Sequence, residues 1–381
     1  CLNVCPAFRL VGGHVYGGKI YTGGIGTLLT SFLTSRERGK DIQNICLQCG
    51  TCNTVCGGKF DIAGMILKLR TQYAQQDGLN PVHKFCLDTV ADRHLFHSML
   101  RIASVAQGMI TKGQPMIRHL PMFLSGLTAG RSLPSIAPQP FRDILPTIKQ
   151  DVPNPKGKIA IFTGCLLDFV YVDIATDVVK ALNMAGYIVE MPLGQACCGA
   201  PATYMGDVEN AKKAAELNLN AMEAEKYDYI VSACPTCTHA LRDYVDFFKD
   251  DPEMLKKAEE LRSKTFDFCK LVSMLGGLPD TGDGVPMKVT YHDSCHLNRY
   301  LGVTKEQREL LKATKGVELI EMHDCDKCCG FGGSYSVKFP EMSAPILEER
   351  STTSSLPAQM SSLSTARAAC SRSVAASMLV A

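Results

Sequence analysis

Eighteen of the 381 residues are cysteine, and several fall at spacings that suit metal chemistry. CLQCGTCNTVC sets Cys46, Cys49, Cys52 and Cys56 in a C-x2-C-x2-C-x3-C run. A thiolate triplet of that spacing wraps three corners of a [4Fe–4S] cube, and in two-cluster ferredoxins the fourth cysteine ligates the other cluster. CLNVCP, with Cys1 and Cys5, matches the last third of a second such run. Cross-pairing predicts a complete cube on Cys46, Cys49, Cys52 and Cys5, and half of another on Cys56 and Cys1. Gly57 stands where the motif expects Pro, which loosens the turn but removes no ligand. A structural zinc site would instead use two C-x2-C pairs.

A second group is Cys165, Cys197, Cys198, Cys234 and Cys237. Adjacent cysteines fit poorly on one corner of a regular cube, so the Cys197–Cys198 pair points to an unusual cluster. Zinc is the alternative, and Cys234-Pro-Thr-Cys237 taken alone could be a redox dithiol. A third, shorter group is Cys295, Cys328 and Cys329. Cys165 and Cys197 are separated by 31 residues, Cys295 and Cys328 by 32, so a whole unit is repeated. His292, Asp293 and His296 flank Cys295 and read as loop-holding residues rather than ligands. Cys86 and Cys269 sit alone in apolar surroundings and read as core. Cys325 has only Gly194 as its counterpart in the first repeat and is left out of the ligand set. GGIG at 23–26 follows no strand and lacks the downstream acid of a dinucleotide fingerprint.

The elements that must present these thiols are legible in outline. KIAIFTG, YIVEMP and YDYIVSA are short apolar runs that read as strands, each ending near a cysteine. Between them residues 168–185 predict a helix with Val170, Ile174, Val178 and Leu182 on one face and Gly186 past its end. Residues 207–226 predict another. Alternation of this kind argues for a parallel sheet covered by helices, whose strand ends face one crevice. MKVTYHDSC, a helix near 304–315 and VELIEMHDCDKCC repeat the layout. The expected fold class is therefore α/β with an all-α N-terminal part. The expected domains are a two-cluster ferredoxin-like module at 1–70, truncated at its start, and a helical then Pro-rich extended linker at 71–155. A first cysteine-rich domain at 156–275, a second, incomplete one at 276–350 and a tail at 351–381 follow.

Composition agrees with a large folded chain. Apolar residues make up 46% and charged residues 20%, and the net charge of +2 argues against an electrostatic nucleic-acid binder. No apolar run reaches the roughly 18 residues of a membrane span. Clustered cysteines in a long chain suggest a reducing, cytoplasmic setting. The chain opens on Cys1 rather than Met, and with half a motif missing it reads as a fragment.

CLNVCPAFRLVGGHVYGGKIYTGGIGTLLTSFL, CLQCGTC and GRSLPSIAPQPFRD resemble the ferredoxin-type iron–sulfur subunit of bacterial lactate-utilisation complexes. Residues 158–350 resemble the cysteine-rich CCG domains of its partner protein. Those domains recur in the cysteine-rich subunit of heterodisulfide reductase, in the glycolate oxidase iron–sulfur subunit and in anaerobic glycerol-3-phosphate dehydrogenase. The resemblance implies a fusion that relays electrons from L-lactate oxidation, docked to other subunits and to a donor or acceptor protein or quinone. Peripheral membrane association stays open. It also implies that each complete CCG half holds a noncubane [4Fe–4S] cluster on five cysteines, or zinc in one half. Cys165, Cys197, Cys198, Cys234 and Cys237 match fully, whereas Cys295, Cys328 and Cys329 match in part. The alternatives are a heterodisulfide reductase-like catalytic subunit and a zinc-stabilised assembly module. The tail departs from the family. TARAACSRSVAA can be encoded so that the preceding frame reads DCARCVQQIRGG, whose C-x2-C would fall 36 residues after Cys329, against 35 between Cys198 and Cys234. An out-of-frame tail, disordered and with Cys370 far from Cys328, is the expectation.

Overall fold

A computed structural model describes residues 2–111, 116–117, 133–279, 284 and 286–353. Cys1 and the tail beyond Thr353, with Cys370, lie outside the described residues.

The architecture is mixed α/β and rich in helix. Its centre is a four-stranded parallel sheet in the order Tyr187–Glu190, Gly157–Ile161, Tyr229–Ser232, Thr265–Asp267. Alternate residues of the strands face opposite sides. Ile159, Ile161 and Val231 join one apolar core with Val178, Leu182 and Phe268. Ala160, Phe162 and Ile230 join another with Leu219, Leu241 and Phe248. Both faces are covered by helices, which explains why the strands read as unbroken apolar runs. The first strand in sequence lies between the second and third, so the chain leaves it in opposite directions and a crevice opens at its carboxyl end.

The helix expected over 168–185 is two helices, Leu166–Phe169 and Val172–Met184. The break lets the fully buried Asp168 turn toward Arg142, whose Nε donates to Oδ2 at 2.7 Å. Gly186, at φ +95°, closes the second helix as expected. The strand Thr265–Asp267 is absent from the sequence reading, because three residues ending a helix carry no alternation to read.

Before the sheet come Pro6–Val15, Gly23–Leu33, Arg36–Ile42, Ile62–Asp77, Pro81–Ala91 and Arg93–Thr111, all helices. The Pro-rich stretch forms no helix longer than four residues among the described residues, as its prolines dictate. It is packed, however, rather than loose. Phe141 and Leu145 sit in the first core of the sheet, and the Arg142–Asp168 pair pins the segment beneath them.

The repeated unit is smaller. Met287–Val289 and Val317–Leu319 form a two-stranded parallel sheet, with Glu306–Ala313 between them. The last helix among the described residues, Pro340–Thr353, packs back on Pro6–Val15, where Tyr335 and Met342 share a core with Ala7, Tyr16, Ile42 and Ile45.

Candidate metal centres at the strand ends

Three loops bring the first-half thiols to the crevice. Cys165 opens the turn after the first strand, and Gly164 precedes it at φ +56°. A Cβ on Gly164 would stand 3.0 Å from Cys237 Sγ, so the close approach of the two loops needs glycine there. Cys197 and Cys198 follow the second strand on a loop held by side chains. Asn218 accepts from Ala196 N at 2.8 Å and donates to Cys197 O at 2.9 Å, while Tyr244 Oη donates to Cys198 O at 3.0 Å. Gln195 Oε1 takes the N–H of Thr163 at 2.8 Å and Nε2 donates to Ile161 O at 3.1 Å, tying this loop to the first strand. Cys234 caps the helix Pro235–Asp243, with Pro at its first position, and Cys237 lies one turn on.

The five sulfurs form a continuous chain of contacts from Cys165 through Cys197, Cys198 and Cys237 to Cys234. Hydrogen bonds from Cys197 and Cys237 bring Cys198 down to about 6, and Cys237 similarly lowers Cys234. Cys165 and Cys237 are pushed well up, the first chiefly by its bond to Cys197 and the second by its bonds to Cys198 and Cys234. Cys197 is raised as well, so thiolate and donor thiol alternate only over Cys198, Cys237 and Cys234.

A second set lies in the N-terminal helices. Cys5, Cys46, Cys49 and Cys52 line one cavity with Tyr16, Gly24, Ile62 and Ile66. Gln48 at φ +58° and Gly50 at φ +72° turn the loop around it. Burial lifts Cys5 and Cys52 to about 12, whereas hydrogen bonds from Cys328 and Thr51 bring Cys49 down to about 6. The Tyr16 hydroxyl bonds to the Cys46 sulfur. Arg70 fixes the loop backbone, donating to Gln43 O at 2.7 Å and Cys46 O at 3.1 Å, and reaches Tyr204 O in the first half at 2.7 Å. Cys56 is not in the cavity; it packs against the cluster of Leu28, Ile62 and Tyr73.

The third set meets the second. Cys328 bonds to both Cys295 and Cys49, so a thiol pair of the repeated unit touches the N-terminal loop. Tyr300 Oη donates to Gln48 O at 2.8 Å across the same contact. No signal in the sequence announces it, since the partners are about 250 positions apart. Cys329 follows Cys328 at the turn with Gly330. His292 and Asp293 hold the loop, as their position suggested. His292 Nδ1 bonds to Cys325 O at 2.8 Å, and Asp293 pairs with Arg308 at 2.9 Å. His296 stands instead in a ring cluster with Tyr204, His239 and Tyr300. Cys86 is exposed rather than core, because it lies on the outer face of Pro81–Ala91; Cys269 is partly buried. Cys325 bonds to Asp293 Oδ2 at 3.2 Å.

Among the described residues no group of three or more His, Cys, Asp or Glu side chains is arranged to hold a metal ion. Thiols spread over the walls of one cavity, or strung along one crevice, suit a group whose several irons each take a thiolate. Among the described residues no helix is long and apolar enough to cross a membrane.

Comparison with known proteins agrees with the repeat. The CCG cysteine-rich domain model matches residues 159–242 and 289–374. Lactate utilization protein A of Bacillus velezensis is 37% identical over 193 residues, 51% of this chain and 80% of the relative. The protein of that name from Bacillus subtilis is 36% identical over 193 residues, again 51% of this chain and 80% of the relative. A probable glycolate oxidase iron–sulfur subunit of Bacillus subtilis is 31% identical over 330 residues, 82% of this chain and 73% of the relative.

Proposed function

Because the chain belongs to the CCG cysteine-rich family, with lactate utilization protein A and the glycolate oxidase iron–sulfur subunit, we propose that it is an iron–sulfur subunit of a 2-hydroxy-acid-oxidising complex. It relays electrons from L-lactate, or a close analogue, to an acceptor protein or quinone, in the cytoplasm and docked to other subunits. The observation that carries this reading is the convergence of two separate thiol sets, four around one cavity and five along one crevice.

In this reading residues 1–70 are a ferredoxin-like module whose Cys46, Cys49, Cys52 and Cys5 hold a cubane cluster, with Cys56 and Cys1 belonging to a second. Residues 71–155 join it to a first CCG domain at 156–275, where Cys165, Cys197, Cys198, Cys234 and Cys237 hold a noncubane cluster. The second domain, expected at 276–350, offers Cys295, Cys328 and Cys329 to a cluster or to zinc. When bound, such clusters supply one-electron redox capacity. The chain's own residues exclude water around the sulfurs, with Tyr16, Ile62 and Ile66 as the wall on one side and Phe162 and Leu241 packed behind the other. Hydrogen bonds to sulfur, such as that from Tyr16 to Cys46, favour the more negative, reduced state.

The test is iron and acid-labile sulfide analysis of the purified chain, followed by reduction with the intact complex and lactate, glycolate or glycerol-3-phosphate as donor. Stoichiometric iron and sulfide, and cluster reduction by one hydroxy acid, are expected. Zinc without sulfide would overturn the reading in favour of an assembly module.

A further inference from the structure

The contact between the N-terminal thiol loop and the second half contains a buried cation. Arg299 lies on the turn His296–Tyr300, which directly follows Cys295, and its side chain is only 4% exposed. Its Nη1 lies 3.3 Å from Cys49 O and 3.3 Å from Cys295 Sγ, and its Nη2 donates to Asp326 O. One guanidinium thus grips three loops: the cavity loop, the first cysteine of the second half, and the approach to Cys328. Its acidic neighbour, Asp326, places Oδ2 at 3.5 Å but is 58% exposed, so water screens that charge. Guanidinium cannot lose its proton in a protein, and a planar fork holds several acceptors at once.

We infer that Arg299, a residue of the second CCG half, sets the reduction potential of the cluster held by Cys5, Cys46, Cys49 and Cys52 in the other module. The inference rests on the proposed reading of those four cysteines. Uptake of one electron, delivered from the hydroxy-acid donor and passed on to the acceptor, adds one negative charge beside the Cys49 loop with no proton required. A fixed positive charge in a poorly solvated contact stabilises that reduced state and so raises the potential. Arg299 is a positioning residue: it acts through Cys49 and its backbone, and it makes the cube's potential depend on the docking of the two modules.

The experiment is a redox titration of the chain followed by electron paramagnetic resonance, on wild type, Arg299→Met, Arg299→Lys and Asp326→Asn. Arg299→Met should lower the reduced-to-oxidised ratio at the wild-type midpoint by about tenfold, which is about 59 mV for one electron. Arg299→Lys, keeping the charge, should recover most of the loss. Asp326→Asn removes the partly neutralising carboxylate and should move the ratio the opposite way, by about twofold. A midpoint unmoved in Arg299→Met with full iron content would overturn the inference. If Arg299→Met fails to assemble, Asp326→Asn decides by sign, and an unchanged or lowered potential there sinks the idea. Absence of iron and sulfide from the wild type would instead sink the cluster reading itself.

Discussion

The two CCG halves carry the same strand–cysteine–helix–strand–CC layout, yet they are built to different degrees. The first owns a four-stranded sheet buried on both faces, and all five of its thiols come from its own strand ends. The second has, among the described residues, two strands of three residues each, and its support comes from elsewhere. Leu310 leans on the first half's core, Lys270 reaches Glu306 at 2.8 Å, and Tyr335 and Met342 share a core with the N-terminal helices. Its Cys328 likewise meets Cys49 rather than a C-x2-C pair. A repeated motif can thus gather its thiols within its own fold in one copy and across an interface in the other. What decides is whether the copy buries enough apolar surface of its own.

The largest test of that contrast is Cys49→Ser. If Cys5, Cys46, Cys49 and Cys52 hold the one complete cube, this change should remove nearly all cube-type signal in paramagnetic resonance of the reduced protein. An unchanged signal would break the ligand assignment. The companion changes sharpen it: Cys197→Ser and Cys237→Ser should each lower iron by the same amount, because 40 positions apart they serve one site. Cys295→Ser should lower it less. Equal losses from both halves would mean that the second half is a full site after all.

Ion pairs offer a stability version of the comparison. Arg142 and Asp168, 10% and 0% exposed, anchor the Pro-rich stretch to the first half. Arg142→Met leaves a buried carboxylate alone and should cost about 3–5 kcal/mol in urea unfolding. Lys288→Met in the second half breaks a pair with Glu318 that is 60% and 63% exposed, and less than about 1 kcal/mol is expected. A reversed ranking would show that the second half folds more independently than its core suggests.

A smaller effect concerns pH. Asp267, at the end of the fourth strand, caps the next helix by accepting from Cys269 N at 2.9 Å, and burial lifts its carboxyl from 3.8 to about 7. The folded state therefore holds a proton that the unfolded state releases between those values. Stability from this group is complete below 3.8 and is lost as pH rises to 7, at up to about 1.4 kcal/mol per unit. The wild type should unfold at lower urea at pH 8 than at pH 5. Asp267→Asn, which keeps an acceptor, should flatten that difference; an unaltered slope would place the titrating group elsewhere.

Much of the first half was legible residue by residue. The strand runs at 158–164, 187–192 and 227–233 are observed as Gly157–Ile161, Tyr187–Glu190 and Tyr229–Ser232, because a strand buried on both faces leaves an apolar run that short-range reading detects. Gly186 marked a helix end because only glycine takes its positive φ easily. The strand Thr265–Asp267 escaped because it is defined by its pairing with Tyr229–Ser232, not by its own pattern. Cys86 escaped because an apolar neighbourhood in sequence does not say which face of a helix is outward.

Cysteine spacing alone therefore determined which thiols could share a strand end or a loop, since ligand reach within a few residues is set by local backbone geometry. Only the tertiary structure decided that Cys49 stands against Cys328 and Cys295, and that Arg299 lies between the loops that carry them. Those contacts join surfaces about 250 residues apart. They depend on how whole modules pack, through shape and polar satisfaction across an interface, and no periodicity in either segment encodes that.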